Sequence, residues 1–214
     1  MNLDAHIDAL QAFYGVLATP PSDPFTLFVW EVLSFRAAPR KRDAALAALK
    51  RIPALTPDSL SRAPKKKLED SVALAGPYLE QRLRALHTGA DIFRRAPRLP
   101  DTIRGPLAKA RRALKELPQM GDGGAHRMLL FAADQLVMPV DLRVSRVARR
   151  LGYDKPLRRT LSRELPLDPA TFKRAFVYLE HHGTATCTEG DPHCAVCPLL
   201  QDCPDGRKRL QAAG

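Results

Sequence analysis

Four cysteines fall close together near the end of the chain: Cys187, Cys194, Cys197 and Cys203, spaced C-x6-C-x2-C-x5-C. Thiolates are soft ligands, and four of them can hold either a tetrahedral zinc ion or an iron–sulfur cube. Structural zinc sites usually pair two C-x2-C knuckles, whereas only one such pair exists here, Cys194 and Cys197. The other gaps are wide and unequal, which suits the separated corners of a cube better than one ion. Unrelated reduced thiols are the remaining reading. Crowded cysteines in a reducing compartment argue against disulfides.

Two further features could do chemistry. The run LPQMGDGGA at 117–125 is a glycine-rich connection leading into an apolar-periodic segment. Glycines let the backbone turn tightly and approach another surface. The unpaired N–H groups at the start of the following helix favour a phosphate. Lys109, Arg111, Arg112, Lys115 and Arg127 flank the turn and add non-specific attraction to a polyanion. The plain alternative is an αα-hairpin turn with no partner. The second feature is Asp141, which follows Pro139-Val140 and precedes a helical run. On its own it reads as a helix N-cap.

Together these residues resemble the endonuclease III family of DNA glycosylases. The cysteine spacing is the specific part, joined by His182-Gly183 ahead of Cys187 and by Cys197-Pro198. Leu117, Pro118, Met120 and Gly121 match in type the family's Leu-Pro-Gly-Val-Gly hairpin, and Val140-Asp141 matches its Val-Asp context. The resemblance spans about residues 24–205, with specific motifs only at 117–141 and 182–203. It implies a [4Fe-4S] cluster on the four cysteines and a helix-hairpin-helix clamping duplex DNA. It also implies a flipped-out base and a catalytic carboxylate at Asp141 that stabilises positive charge on the sugar or activates a nucleophile. Leu117, Pro118, Met120, Gly121, Gly123 and Arg127 are the expected DNA contacts, with Arg36 probing the base stack. The cluster's expected role is structural, pinning a basic loop between Cys187 and Cys194 near phosphates.

Three departures qualify that expectation. The family's bifunctional members carry a lysine two residues after the second hairpin glycine, whose amine forms a Schiff base with the sugar. Here the position is Gly123. After Asp141 the family's Thr-His is replaced by Leu142-Arg143. Where the family has Ser-x-Gln, with a glutamine that helps fill the gap left by a flipped base, this chain has Ser34-Phe35-Arg36. The expected activity is therefore hydrolysis of the N-glycosidic bond of a damaged or mismatched base without efficient strand cleavage. A non-catalytic cluster-bearing DNA-binding protein is the runner-up, and a bifunctional enzyme using another amine is a third reading.

The elements that must position these residues read as helices. Leu3, Ile7, Leu10, Phe13, Tyr14 and Leu17 recur at helical spacing over 2–18. Residues 25–38 form a nearly all-apolar helix fit for a core. Further helices are expected at 42–51, 66–75, 77–95, 105–116, 124–136 and 169–183, bounded by Pro53, Pro57, Pro64, Gly76 and Pro97, with another run after Asp141. Strand patterning is nearly absent, so the fold class is all-α. The resemblance divides it into a six-helix lobe at 20–135, with the hairpin at about 105–136, and a cluster lobe made of 1–19 and 136–214.

The chain has 214 residues, 45% hydrophobic, enough for a real core and too many for disorder. Its 34 Lys and Arg against 23 Asp and Glu give a net charge of +11, an excess whose usual partners are nucleic acid phosphates, an anionic membrane surface or simply water. The N-terminus lacks a secretory pattern, and no apolar run spans a membrane. The expectation is a cytoplasmic, nucleoid-associated monomer.

Overall fold

The computed structural model describes residues 2–51 and 55–213. Pro53, taken above as a helix boundary, lies outside them. The described residues are helical and irregular, with no strand among them. No helix among them is long and apolar enough to cross a membrane. In chain order the helices are α1 (Leu3–Tyr14), α2 (Pro24–Ser34), α3 (Pro39–Leu49), α4 (Pro57–Arg62), α5 (Lys65–Ala73), α6 (Leu79–Arg95) and α7 (Leu99–Arg104). They continue with α8 (Leu107–Lys115), α9 (Asp122–Ala133), α10 (Leu142–Arg150), α11 (Leu157–Arg163), α12 (Pro169–Ala185) and α13 (Pro204–Ala213). The chain divides into two compact units, Pro20–Gln135 and Met1–Thr19 with Leu136–Gly214.

In the unit of residues 20–135, α2 is the central element. Asp23 caps it, its Oδ1 accepting from Thr26 N at 2.8 Å, and Pro24 supplies the fixed φ of a first turn. Phe25, Leu27, Phe28, Val29, Val32 and Leu33 are all buried, so the helix faces protein on most sides. Phe93 of α6 packs edge-on to Phe25 at 5.2 Å between ring centroids. The helix stops at Ser34 because Arg36 has a left-handed backbone, φ 48°.

In the other unit, Leu3, Ile7 and Leu10 bury one face of α1, which packs on α12. The helix ends at Tyr14, four residues short of the expected 2–18, because Gly15 turns to φ 70° and donates its N–H to Gln11 O. Helix α12 packs on α10 and is capped by Asp168.

The sequence reading did not anticipate α4, α7, α11 and α13. Proline stands at the start of each: Pro57, Pro100, Pro156 and Pro204. A proline read as a stop is equally a first-turn residue, where its missing N–H has no helical partner to lose.

Candidate nucleic-acid interface and cysteine centre

The 117–121 segment joins α8 to α9 as a tight hairpin. Leu117 and Met120 are buried, at 2% and 6% exposure, and anchor the turn to the unit of residues 20–135. They are packing residues, so any contact with a partner comes from the backbone around them. Met120 N donates to Leu117 O, and Gly121 N to Gln119 O. Gln119 takes φ 59°, the left-handed conformation that favours glycine, and its Nε2 donates to Gln81 O at 3.1 Å.

Helix α9 begins at Gly121 without a side-chain cap. A Cβ on Gly121 would meet nothing within 4 Å, and one on Gly123 only Arg127 Nη1 at 3.6 Å. Neither φ is positive. Gly124 differs: its Cβ would meet Met120 Sδ at 2.8 Å and Glu31 Oε2 at 3.2 Å, so glycine there lets α9 lie against α2. The start of α9 is thus open, with backbone donors presented as an anion site requires.

The flanking cations are unequally engaged. Arg127 donates to both Glu31 oxygens, at 2.6 and 2.7 Å, with both side chains largely enclosed. It fastens α9 to α2, a task different from the phosphate contact read from the sequence. Lys115 and Arg111 lie 2.8 and 3.4 Å from Asp122, whose carboxyl they hold below the usual range. Lys109 and Arg112 are exposed on α8.

Arg36 is exposed, and its Nη1 donates to the Tyr78 hydroxyl at 3.0 Å. Its guanidinium lies 5.8 Å from the Phe35 ring centroid and 5.7 Å from that of Tyr78. Tyr78 also has a left-handed backbone, φ 75°. Arg82, which sequence reasoning passed over, is fully buried beneath this group. No periodic signal marked it, because it sits in an otherwise ordinary amphipathic helix.

In the unit formed by the chain's two ends, Asp141 caps α10: its Oδ1 accepts from Arg143 N and Val144 N, both at 2.9 Å. The two amides fix the carboxylate's orientation. Leu142 is 82% exposed. Arg143 donates to Glu180 at 2.9 Å. Gly183 has a packing reason: a Cβ there would meet Arg143 Cβ at 2.9 Å and Arg143 O at 3.1 Å. Only glycine lets α12 come this near the first turn of α10.

All four cysteines line one half-open pocket of about 370 Å³, part of it open to solvent, with Val147, Leu151, His182 and Leu199 among its walls. Among the described residues, no group of three or more His, Cys, Asp or Glu side chains is placed to hold a metal ion. Burial pushes the Cys197 thiol up to about 11 and raises Cys194 and Cys203. Metal binding would displace these protons. Arg150 Nη1 donates to Cys187 Sγ at 3.2 Å, and Gly206 N to Cys203 Sγ at 3.3 Å, so donors already face the sulfurs. His182, buried and pushed down to about 4 by burial, lies 3.6 Å through Nε2 from Cys197 Sγ and 2.8 Å through Nδ1 from Tyr14 Oη. Four soft thiolates lining one pocket are a donor set suited to a soft metal or an iron–sulfur group.

The loop between Cys187 and Cys194 is Thr188–His193 and carries Glu189 and Asp191, so it is acidic rather than basic as expected. The cations around it are on α10. Arg146 donates to Cys187 O at 2.8 Å and also to Gly183 O, and Arg150 donates to Thr188 O at 2.7 Å and Glu189 O at 3.1 Å.

This all-α arrangement, with the hairpin between α8 and α9, is the endonuclease III-like DNA glycosylase fold. The structure of a trapped endonuclease III–DNA covalent intermediate aligns with a TM-score of 0.74 at 22% identity, covering 96% of each chain. A thermostable thymine-DNA glycosylase aligns at 0.73 and 17% identity, over 96% of this chain and 97% of that one. In sequence, the endonuclease III of Bacillus subtilis is 27% identical over 156 residues, 67% of this chain and 69% of that protein. No family model matches the chain.

Proposed function

We propose that this protein is a DNA glycosylase that hydrolyses the N-glycosidic bond of a damaged or mismatched base, and that it lacks lyase chemistry. It acts as a monomer on nucleoid DNA in the cytoplasm. Its fold is shared with enzymes crystallised on DNA, endonuclease III and an 8-oxoguanine glycosylase/lyase among them. One observation carries the reading: the open, uncapped start of α9, where neither backbone conformation nor packing requires Gly121 or Gly123. An external surface that approaches closely, such as a phosphate, gives Gly121 its purpose. Gly123, at the position of the family's lysine, offers no amine for a Schiff base.

In the proposed reaction the target nucleotide leaves the stack, and its C1′–N bond breaks with the electron pair departing on the base. The Asp141 carboxylate, oriented by two amides, stabilises the positive charge left on the sugar. Water then adds at C1′ and loses a proton, giving an intact strand with an abasic sugar. Cys187, Cys194, Cys197 and Cys203 would hold a [4Fe-4S] cluster, which supplies a covalent cross-link for the C-terminal segment. In support, the four thiols line one pocket.

A second reading is a non-catalytic DNA-binding protein of the same fold. The exposure of Leu142 beside Asp141 favours it, since an apolar side chain there is a poor partner for a water nucleophile.

The deciding experiment screens the iron-loaded protein against duplexes with single modified or mismatched bases, scoring base release and strand cleavage separately. The expected product is an alkali-labile abasic strand that borohydride does not trap. Asp141→Asn abolishes release and keeps or raises affinity, whereas Gly121→Glu weakens binding across all sequences. Efficient trapping by the unmodified protein refutes the monofunctional reading. No release from any lesion leaves the binder.

A further inference from the structure

His182 and Gly183 precede the first cysteine, and the glycine has its reason in the close approach of α12 to α10. The histidine does more than fill space. It is 2% exposed, with a polar neighbour at each ring nitrogen. Nε2 lies 3.6 Å from Cys197 Sγ, within reach of a hydrogen bond to sulfur, and Nδ1 lies 2.8 Å from the hydroxyl of Tyr14 on α1. That hydroxyl lies 2.6 Å from Oγ1 of Thr186, itself buried. Thr186, Tyr14, His182 and Cys197 therefore form one line of polar groups, all in the unit made from the chain's two ends.

The chemistry at the sulfur gives that line a direction. A cysteine ligand is a thiolate, which can only accept. Burial favours the neutral imidazole, which has one N–H to give. Facing a thiolate, that proton belongs on Nε2, because the other tautomer would set a nitrogen lone pair against a negative sulfur. Nδ1 is then an acceptor, and Tyr14 must donate to it. The Tyr14 oxygen in turn accepts from Thr186. One proton order, running from Thr186 to Cys197, satisfies every member. The Tyr14 ring is seated independently of its hydroxyl: it packs edge-on against His181, 4.6 Å between centroids.

We propose that His182 is a positioning residue for the Cys197 ligand, donating Nε2–H to its sulfur, and that Tyr14 on the N-terminal helix selects the tautomer able to do so. An N–H···S bond draws electron density from a thiolate and makes the group it binds easier to reduce. The first helix of the chain, whose Tyr14 lies 168 residues before His182, thereby sets the electron density on a ligand in the C-terminal segment. The inference rests on the iron–sulfur reading above and adds to it a control of the centre by α1.

The test uses the iron-loaded full chain and reads the Fe–S(Cys) stretching bands by resonance Raman, the midpoint potential of the cluster, and thermal melting. In His182→Leu the bands move up and the reduction equilibrium constant falls about tenfold, about 59 mV for a one-electron couple. His182→Gln, whose amide donates at the place of Nε2, recovers about half of both shifts. Tyr14→Phe, which removes only the hydroxyl, moves both in the same direction as His182→Leu. Arg174→Ala removes the ion pairs to Asp4 and Asp8 and so loosens α1 without touching the line; it lowers Tm and leaves bands and potential in place. Unchanged bands and potential in loaded His182→Leu, or shifts as large in Arg174→Ala, overturn the proposal. Should His182→Leu not take up iron, unchanged bands and potential in Tyr14→Phe overturn it. Unmodified protein that takes up zinc alone or no metal refutes the iron–sulfur reading instead.

Discussion

Replacing Gly183 by alanine sets two effects against each other, and the structure decides which wins. Within a helix, alanine is favoured over glycine by up to about 1 kcal/mol. Against this, the new Cβ meets Arg143 Cβ at 2.9 Å and its carbonyl oxygen and carbon at 3.1 and 3.3 Å. Backbone cannot swing aside as a side-chain tip can, so α10 must retreat from α12. Overpacking of this kind costs about 1–3 kcal/mol. Retreat also strains the Arg146 bond to Gly183 O and the Arg143 pair with Glu180. The net expectation is a loss of about 1–2 kcal/mol, which for a chain this size lowers Tm by about 2–8 °C. Gly123→Ala is the control: only Arg127 Nη1 lies near, at 3.6 Å, so the propensity gain stands alone and Tm rises slightly. Melting of both iron-loaded variants, followed by circular dichroism, checks the opposite signs. A Gly183→Ala protein as stable as the parent, or a Gly123→Ala protein less stable, refutes the packing argument.

Protein purified without oxygen should be brown, with about four irons per chain. Cys197→Ser should disorder the C-terminal segment, and stoichiometric zinc without iron would exclude the cluster. Tyr153, pushed up to about 12 chiefly by burial and then by Glu164 and Asp202, keeps its proton in the folded state above the usual value of 10.0. The stability this contributes is complete below pH 10 and lost as pH rises toward 12; Tyr153→Phe should flatten that alkaline arm of the stability curve. Lys109→Ala and Arg112→Ala should each reduce the slope of log Kd against log salt by about 1. Arg127→Ala should instead destabilise the fold by about 2–4 kcal/mol, because Glu31 is left enclosed and unpaired; titrations across salt and thermal melts separate the two outcomes.

Local pattern made some features legible and distance hid the rest. Cysteine spacing, the glycine-rich turn and Asp141 before a helical run are encoded within a few residues, and the cap at Asp141 forms where the sequence placed it. The apolar 25–38 segment reads as core from composition alone; its start moved by one residue, to Pro24, and its end by four, to Ser34, because Arg36 leaves the helical region. Arg82 could not be read, since its acceptor on Phe35 lies 47 residues away and no motif announces it. Arg127 was misjudged for the same reason: a cation beside a glycine turn suggests phosphate, yet its partner Glu31 is 96 residues distant. The short helices were missed because a proline marks a start and a stop alike.

That distinction changes what the net charge of +11 means. Arg82 and Arg146 are bound to carbonyls, Arg127 and Arg143 to carboxylates, and Arg150 to the cysteine loop. These guanidiniums stitch loops and helices together, which lysine's single ammonium would do poorly. The cations left for a polyanion are exposed ones such as Lys109 and Arg112 on α8, next to the open start of α9. The basic excess is thus divided: the arginines inside build the scaffold, and a smaller outer set, together with the backbone donors of the first turn of α9 after Gly121, is left to meet phosphate.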